Sequence, residues 1–462
     1  MRGPIYSTAD IRRIEQAAGD APLMQRAGAA AADLAARLVT GKDVLVLAGP
    51  GNNGGDAAIA AETLRQKFFR VLTVKRPEEL TDRNWGLVVD GLFGIGLARP
   101  IEGDYAKLVE YANRQFCPVL SLDVPSGIQS DSGRVLGCAV RASHTISFIA
   151  LKPGLLTLDG PDYCGELSVA GLGLDLQQLL PPSAWVAEPA LFKGMLQHRP
   201  RNFHKGMAGS LAVVGGAGGM TGAALLAGRA ALRLGAGRVY VGLLEESAPA
   251  VDLLAPELML RHPDDVFGED LDAMVVGPGL GRGERAETLV GAALASDIPC
   301  ILDADALNLI AENTDLRKAC AHRSAETLLT PHPAEAARLL GSSVAAVQED
   351  RVKAARMLAE NLNAHTVLKG NGSIIVARDG HWFINASGNP GMASAGMGDV
   401  LAGMLGALLA QRYSGETALT LGVHLHGVAA DTLAREGNGP VGLTAGELID
   451  ASRRIWNSWL NA

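Results

Sequence analysis

The sequence predicts an α/β protein of two three-layer αβα domains, each a largely parallel sheet between helices. Three observations carry that reading. Short β-branched and aliphatic runs alternate with helical patterns along the 462 residues, the arrangement that covers a parallel sheet on both faces. Glycine, at 56 residues, exceeds its usual share of roughly 7%, has no collagen period and gathers where apolar runs end, as tight strand-to-helix connections require. The chain is longer than the roughly 100–200 residues of one domain. From about Leu172 its apolar rhythm weakens through Leu179-Leu180-Pro181-Pro182-Ser183, Pro189, Gly194 and Arg199-Pro200-Arg201-Asn202, a linker composition. Domains at 1–190 and 191–462 are expected.

In the first series, the β-rich runs at 43–48, 71–75, 87–90, 119–123 and 145–149 read as strands, with an amphipathic helix at 57–68. The second series opens with a strand at 209–216 and continues at 238–243, 273–277, 300–303, 327–330, 366–369 and 373–377, with Ala-rich helices between. Residues 392–399 show neither period and read as a loop. The near-continuous apolar run 400–409 is too short to cross a membrane and reads as a buried core helix.

Composition excludes several function classes. The formal net charge is -8 with no block of Lys and Arg, so the phosphate attraction of nucleic-acid binders has no source. Cys117, Cys138, Cys164, Cys300 and Cys320 form no C-x-x-C pair and read as reduced cytosolic thiols. No stretch reaches the roughly 18 apolar residues of a membrane span, and the first twenty residues lack a secretory apolar region. A cytoplasmic protein with no membrane partner is expected.

The strand at 43–48 runs into Gly49-Pro50-Gly51-Asn52-Asn53-Gly54-Gly55-Asp56. A glycine-rich turn before a helix lets backbone N–H groups approach a phosphate. The turn has neither the dinucleotide fingerprint nor a P-loop Gly-Lys-Ser/Thr, and the plainer alternative is a tight connection with Asp56 as helix N-cap. Two further strands run into Asp90-Gly91-Leu92-Phe93-Gly94-Ile95-Gly96-Leu97 and Asp123-Val124-Pro125-Ser126-Gly127. Carboxyl ends of parallel strands line one crevice, so Asp90, Asp123 and the Asn-Asn-Gly-Gly-Asp turn can converge. The oxygens of Asn53, Asp90 and Ser126 suit a hard cation of unspecified identity; the alternative for each Asp is a loop cap.

With His144-Thr145-Ile146-Ser147-Phe148 and Lys152-Pro153-Gly154 downstream, these motifs resemble the NAD(P)H-hydrate epimerase domain, of Rossmann-like fold, over roughly residues 6–174. The resemblance implies that Asp123 is the acid/base residue near the epimerised carbon and that Asn53, Asp90 and Ser126 hold a potassium ion. It implies that Asn52, Asn53, Gly54, Gly55 and Asp56, with Gly94, Ile95, Gly96, Leu97, Ala98, Arg99 and Pro100, embrace the dinucleotide. Ala57-Ala58 stand where the family has Gly-Tyr, and 75–87 is too short for the family's extra helix and strand. An aromatic contact and part of one wall are therefore expected to be absent.

In the second half, residues 209–219 with Thr221-Gly222-Ala223-Ala224 form another glycine-rich turn, and Gly277-Pro278-Gly279-Leu280-Gly281 and Asp303-Ala304-Asp305 close later strands. His332, between Pro331 and Pro333, cannot sit inside a regular helix and is expected at a strand end, as a substrate contact or a structural group. In Ala395-Gly396-Met397-Gly398-Asp399, glycine N–H groups at a helix start offer an anion hole for a transferring phosphoryl group. Asp399 would accept a hydroxyl proton; the alternative is an ordinary N-cap. Lys369-Gly370-Asn371-Gly372-Ser373 offers a cation and small residues for a nucleotide.

Gly-x-Gly-Asp at a helix start resembles the ribokinase-like kinases. The whole set, with His204-Lys205-Gly206 and 389–399, resembles the ADP-dependent NAD(P)H-hydrate dehydratases over about 201–451. That likeness implies that Ala223, Gly279, His332 and Asp399 contact the hydrate, and that Lys369, Gly370, Asn371, Gly372, Ser373 and Gly398 hold the adenine nucleotide, with magnesium accompanying ADP. Together the halves resemble the bifunctional family that epimerises the R and S hydrates of NADH and NADPH (NADHX and NADPHX) and dehydrates the S hydrate, consuming ADP and releasing AMP and phosphate. A homo-oligomer is expected. The alternative is a ribokinase-like small-molecule kinase with a non-catalytic N-terminal ligand-binding module.

Overall fold

Along the strand Asp43–Ala48, side chains alternate between two apolar layers. Val44, Val46 and Ala48 pack with the helices Thr8–Ala17, Leu23–Leu38 and Asn52–Gln66, whereas Leu45 and Leu47 pack with the helix Gly103–Asn113. A strand buried on both faces requires this, because its side chains alternate with period two. The computed structural model describes residues 3–196 and 198–460 and divides into two compact units, Met1–Val186 and Ala187–Ala462.

The first unit holds six parallel strands, side by side in the order Arg70–Val74, Asp43–Ala48, Leu87–Gly91, Val119–Leu122, His144–Phe148 and Glu166–Ala170. The order reverses between Asp43–Ala48 and Leu87–Gly91. At such a switch point neighbouring strand-end loops diverge and leave a crevice. Between Val74 and Leu87 the chain makes only the short 3-10 turn Pro77–Glu79, as the brevity of that segment requires. The strand Glu166–Ala170 and the helices Thr8–Ala17, Leu23–Leu38 and Gly103–Asn113 lie outside the expected elements; their patterns are short or Ala-rich and carry weak periodicity.

In the second unit seven parallel strands run in the order Met259–Arg261, Arg238–Leu243, Ser210–Gly215, Ala273–Val276, Cys300–Leu302, Thr327–Leu329 and His365–Leu368. Ser373–Val376 and Trp382–Asn385 continue the sheet antiparallel. The expected core helix is Met397–Ala410, buried nearly throughout. It starts at Met397, so the supposed loop 392–399 is in fact the 3-10 turn Pro390–Met392, a short link and the first helical turn. Helix propensity is masked there by two glycines, and packing overrides it. No helix among the described residues is long and apolar enough to cross a membrane.

The core helix sits against the helix Thr221–Arg233 with no room to spare, since a Cβ at Gly403 would lie 2.0 Å from the Ala227 carbonyl oxygen. Gly403→Ala should therefore destabilise by about 1–3 kcal/mol through overpacking, although alanine is intrinsically the better helix former by about 1 kcal/mol. Denaturant unfolding of the variant checks this, and a gain in stability would show that the two helices can move apart.

Candidate active sites

The first site lies at the switch point of the six-stranded sheet. A cavity of about 490 Å³ is lined there by Asn52, Asn53, Asp56, Gly94, Ile95, Gly96, Leu97 and Asp123 among the expected residues. Ile11, Arg12, Glu15, Met24 and Lys152 join them. Gly54, Gly55, Ala98, Arg99 and Pro100 do not line it; the last three are exposed. Asn52 to Asp56 are not a turn, since the helix Asn52–Gln66 begins at Asn52 with Gly51 as N-cap. Asp56 is therefore inside the helix and not its cap, and its carboxyl is free to face the cavity. Ala58 is exposed and off the cavity wall, and no aromatic stands there.

Asp123 follows the strand Val119–Leu122 with φ 65°, a left-handed conformation for a non-glycine residue. Such strain persists where the surroundings hold it and gathers at functional sites. Here Asp123 N–H donates to the Ile146 carbonyl at 2.8 Å, and its Oδ1 accepts from Phe148 N–H at 3.2 Å and from Lys152 Nζ. Lys152 is fully buried and also donates to Ser147 Oγ at 3.0 Å and the Phe148 carbonyl at 2.8 Å. Sequence reasoning noted Lys152 only as part of a motif; its lone positive charge in an apolar stretch was the available signal. Glu15, on an ordinary amphipathic helix, offered none.

Around this pair the cavity is acidic. Burial pushes Asp56 up to about 7, helped by the charges of Asp123 and Glu15 and opposed by Lys152. Glu15 is raised too, chiefly by burial and then by Asp123.

Asp90 is buried at the end of its own strand and accepts from Ser126 Oγ at 2.6 Å, Ser126 N–H at 2.9 Å, Ser121 Oγ at 2.8 Å and Leu92 N–H at 3.2 Å. Burial raises its carboxyl, and these donors pull it back. Ser126 and Asp90 are thus joined directly. Asn53, 7% exposed, has both amide atoms buried without a hydrogen-bond partner. An unpaired buried amide is costly, and its oxygen is the one donor of the expected cation trio that the protein leaves unsatisfied.

The second site gathers at the carboxyl ends of the second sheet. Gly396, at φ 87°, is the N-cap of the core helix, a left-handed backbone that favours glycine, and a Cβ there would also meet Leu226 at 2.8 Å. Gly398 and Asp399 lie in the first helical turn, not in a loop, and Asp399 is not the cap. The N–H groups of that turn have no helical partners and point toward any bound anion. Lys369 Nζ is 2.9 Å from Asp303 Oδ1 and would lie 3.3 Å from a Cβ at Gly398. Burial pushes Asp399 up to about 6, with Asp303 adding and Lys369 opposing.

His332 is not simply held at a strand end: it caps the helix Pro333–Leu340, its Nδ1 accepting from Ala334 and Glu335 N–H. Both Asp303 and Lys369 bear on its charge, which burial disfavours first. Glu335, raised to about 7 mainly by burial, accepts from His332 N–H at 2.8 Å. Ala223 and Gly279 are neighbours, a Cβ at Gly279 lying 3.2 Å from that of Ala223. Gly370, Asn371, Gly372 and Ser373 link two antiparallel strands, and Ser373 Oγ donates to the Gly370 carbonyl at 3.0 Å. Behind them the buried Arg351 donates to the Leu368 and Lys369 carbonyls at 3.3 Å. Asp303 was visible only as a strand-end residue; its pairing with Lys369, 66 positions away, has no local signature.

Lys152→Met would leave Asp123 without its cation, and breaking a buried pair this way typically costs about 3–5 kcal/mol. Denaturant unfolding should register that loss in the transition of the first unit. A loss below about 1 kcal/mol, the range of exposed pairs, would show that water reaches the carboxylate freely.

Both units resemble known proteins. A family profile described as NAD(P)H-hydrate dehydratase matches residues 211–454, and one described as YjeF-related protein N-terminus matches 20–86 and 75–154. The chain is 38% identical to the bifunctional NAD(P)H-hydrate repair enzyme of Coxiella burnetii, covering 98% of this chain and 99% of that protein. It is 36% identical to the enzyme of the same name from Escherichia coli, covering 98% and 94%. Among solved structures, the ADP/ATP-dependent NAD(P)H-hydrate dehydratase of Bacillus subtilis, co-crystallised with ATP and Mg2+, superposes with TM-score 0.54 at 31% identity, covering 59% of this chain and 98% of that one. Similarity along essentially the whole length, through both units, leads to one conclusion: the chain belongs to the bifunctional NAD(P)H-hydrate repair enzymes.

Proposed function

We propose that the chain restores hydrated NADH and NADPH, the first unit interconverting the R and S hydrates and the second dehydrating the S hydrate at the expense of ADP. The observation that carries the second activity is Asp399 in the first turn of a buried helix, behind a left-handed glycine and beside the Lys369–Asp303 pair. Hydration places a hydroxyl on a ring carbon next to the nicotinamide nitrogen. Asp399 takes the hydroxyl proton while the oxygen attacks the terminal phosphoryl group of ADP, and AMP departs. The N–H groups of the helix start and Lys369 stabilise the charge on the transferring group. The nitrogen lone pair then expels phosphate, and loss of a proton from the adjacent carbon restores the double bond. Magnesium, accompanying the nucleotide, would neutralise phosphate charge.

Ala223, Gly279 and His332 would surround the hydrate, and Gly370 to Ser373 with Gly398 the adenine nucleotide. In the first unit Asp123 would be the acid/base residue near the epimerised carbon, with the dinucleotide in the cavity beside Asn52, Asn53 and Gly94 to Leu97. Asn53, Asp90 and Ser126 would hold potassium, which supplies a positive charge to an acidic cavity. Their donors are all oxygens, and the orphaned Asn53 amide fits a ligand beyond the protein. The kinase alternative is not favoured, because relatives similar over the whole chain are repair enzymes.

Incubation with hydrated NADH and ADP should restore the absorbance of reduced nicotinamide; a stable phosphorylated product instead would defeat the dehydratase reading. Running the same assay with ATP tests whether ADP is the better donor. Asp399→Asn should lose about 10²–10⁴-fold in kcat. Because its folded pKa is raised to about 6, the carboxylate is present above that pH and lost below it. The wild-type kcat should fall about tenfold per pH unit under pH 6, a limb absent from the variant's residual rate. For the cation, crystals soaked in thallium(I) should show density in contact with Asn53, Asp90 and Ser126; density elsewhere only would sink the assignment.

A further inference from the structure

Epimerisation at a carbon bearing both a hydroxyl and the ring nitrogen needs one group to accept a proton and another to donate one. Breaking the carbon–nitrogen bond turns the O–H bonding pair into C=O, sends the C–N pair to nitrogen, releases the hydroxyl proton and requires a proton at nitrogen. Rotation about the adjacent C–C bond and closure by the reverse transfers give the other epimer. Both acid/base groups are then restored, and nothing is oxidised or reduced. Asp123 can serve only one end of this exchange.

The cavity limits the choice for the other. Of the groups lining it that carry N–H or O–H protons, Arg12 presents a guanidinium fork, suited to gripping an anion. Lys152 directs its ammonium at three acceptors, Asp123 Oδ1, Ser147 Oγ and the Phe148 carbonyl, and is fully buried, so its protons are committed. Glu15 is half-buried and reaches in from the helix Thr8–Ala17. Asp56 is 9% exposed, lines the cavity from the first turns of the helix Asn52–Gln66, and interacts with Asp123, Glu15 and Lys152. The unpartnered Asn53 amide, on the same helix and the same wall, marks this side of the cavity as built for a polar ligand.

Resting on the epimerase reading, we propose that Asp56 is the second catalytic acid/base residue, delivering a proton to the ring nitrogen while Asp123 takes one from the hydroxyl, and reversing both transfers on closure. Asp123, bound by Lys152 and the Phe148 N–H, has the donors a carboxylate needs. Asp56 has burial and two like charges around it and carries its proton up to a pH of about 7. Two carboxyls in environments that differ this way divide into an acid and a base.

The test uses the full-length chain without ADP, so that the dehydratase is idle, and follows conversion of the pure S hydrate of NADH to the R hydrate by chromatography. Asp56→Asn should lower kcat by about 10²–10⁴-fold with KM changed less than about threefold. Asp56→Ala should regain part of the rate when formate is supplied as an external acid. A thermal midpoint near wild type confirms that the variants are folded. If wild type converts no faster than the spontaneous exchange, the epimerase reading itself fails. If wild type is active and Asp56→Asn keeps its kcat, with or without a raised KM, Asp56 only binds and the proposal is overturned. Loss of rate in both variants without formate rescue would assign Asp56 a structural role and equally overturn it.

Discussion

Backbone-to-backbone contact between strand-end loops is the constraint on which both sites depend. A Cβ at Gly49 would lie 1.7 Å from the Leu92 carbonyl oxygen, and one at Gly277 1.8 Å from that of Asp303. In each unit, therefore, the loop leaving one strand rests directly on the loop leaving its neighbour, with no side chain between. Parallel strands bring their carboxyl ends to one edge, but only this close approach draws the functional groups within hydrogen-bonding range. The first contact sets the Asn52 helix start against Leu92 to Leu97, and the second sets residues 277–281 against Asp303.

Both units then solve the same electrostatic problem with the same device. Each buries a lysine against an aspartate, Lys152 with Asp123 and Lys369 with Asp303, among further carboxyls. One cation cannot satisfy several buried carboxylates, and desolvation disfavours the charged form of those left over. Asp56 and Glu15 in one unit, Asp399 and Glu335 in the other, are accordingly raised, Asp56 and Glu335 to about 7 and Asp399 to about 6. A group that titrates near neutral pH can both take and give a proton during turnover, so the crowding of carboxyls around each lysine bears on the chemistry its site can do.

Much of this was legible along the chain. The strands that carry site loops are short aliphatic runs, and Asp90 and Asp123 stand where the endings of theirs predict. Helix starts were less legible. Asn52-Asn53-Gly54-Gly55, and Gly396 and Gly398 around Met397, are poor helix formers, so each helix appeared to begin one turn late, although packing against the sheet carries it back over them. That turn matters: it takes Asp56 and Asp399 out of capping positions and puts their carboxyls among the other charges of each site. His332, expected at a strand end, caps a helix through its Nδ1.

Sequence by itself determined which residues stand at strand ends, because alternation, glycine placement and polar endings are local properties that strand geometry reads directly. It also determined the family, through motifs whose spacing is itself local. Only the tertiary structure decided which of those residues meet. Lys152 lies 29 positions from Asp123, and Lys369 lies 66 from Asp303, separations that no periodicity records. It likewise decided which carboxyls are buried and which charges surround them, since neighbours are brought from distant elements and a carboxyl has no such environment until the chain has folded.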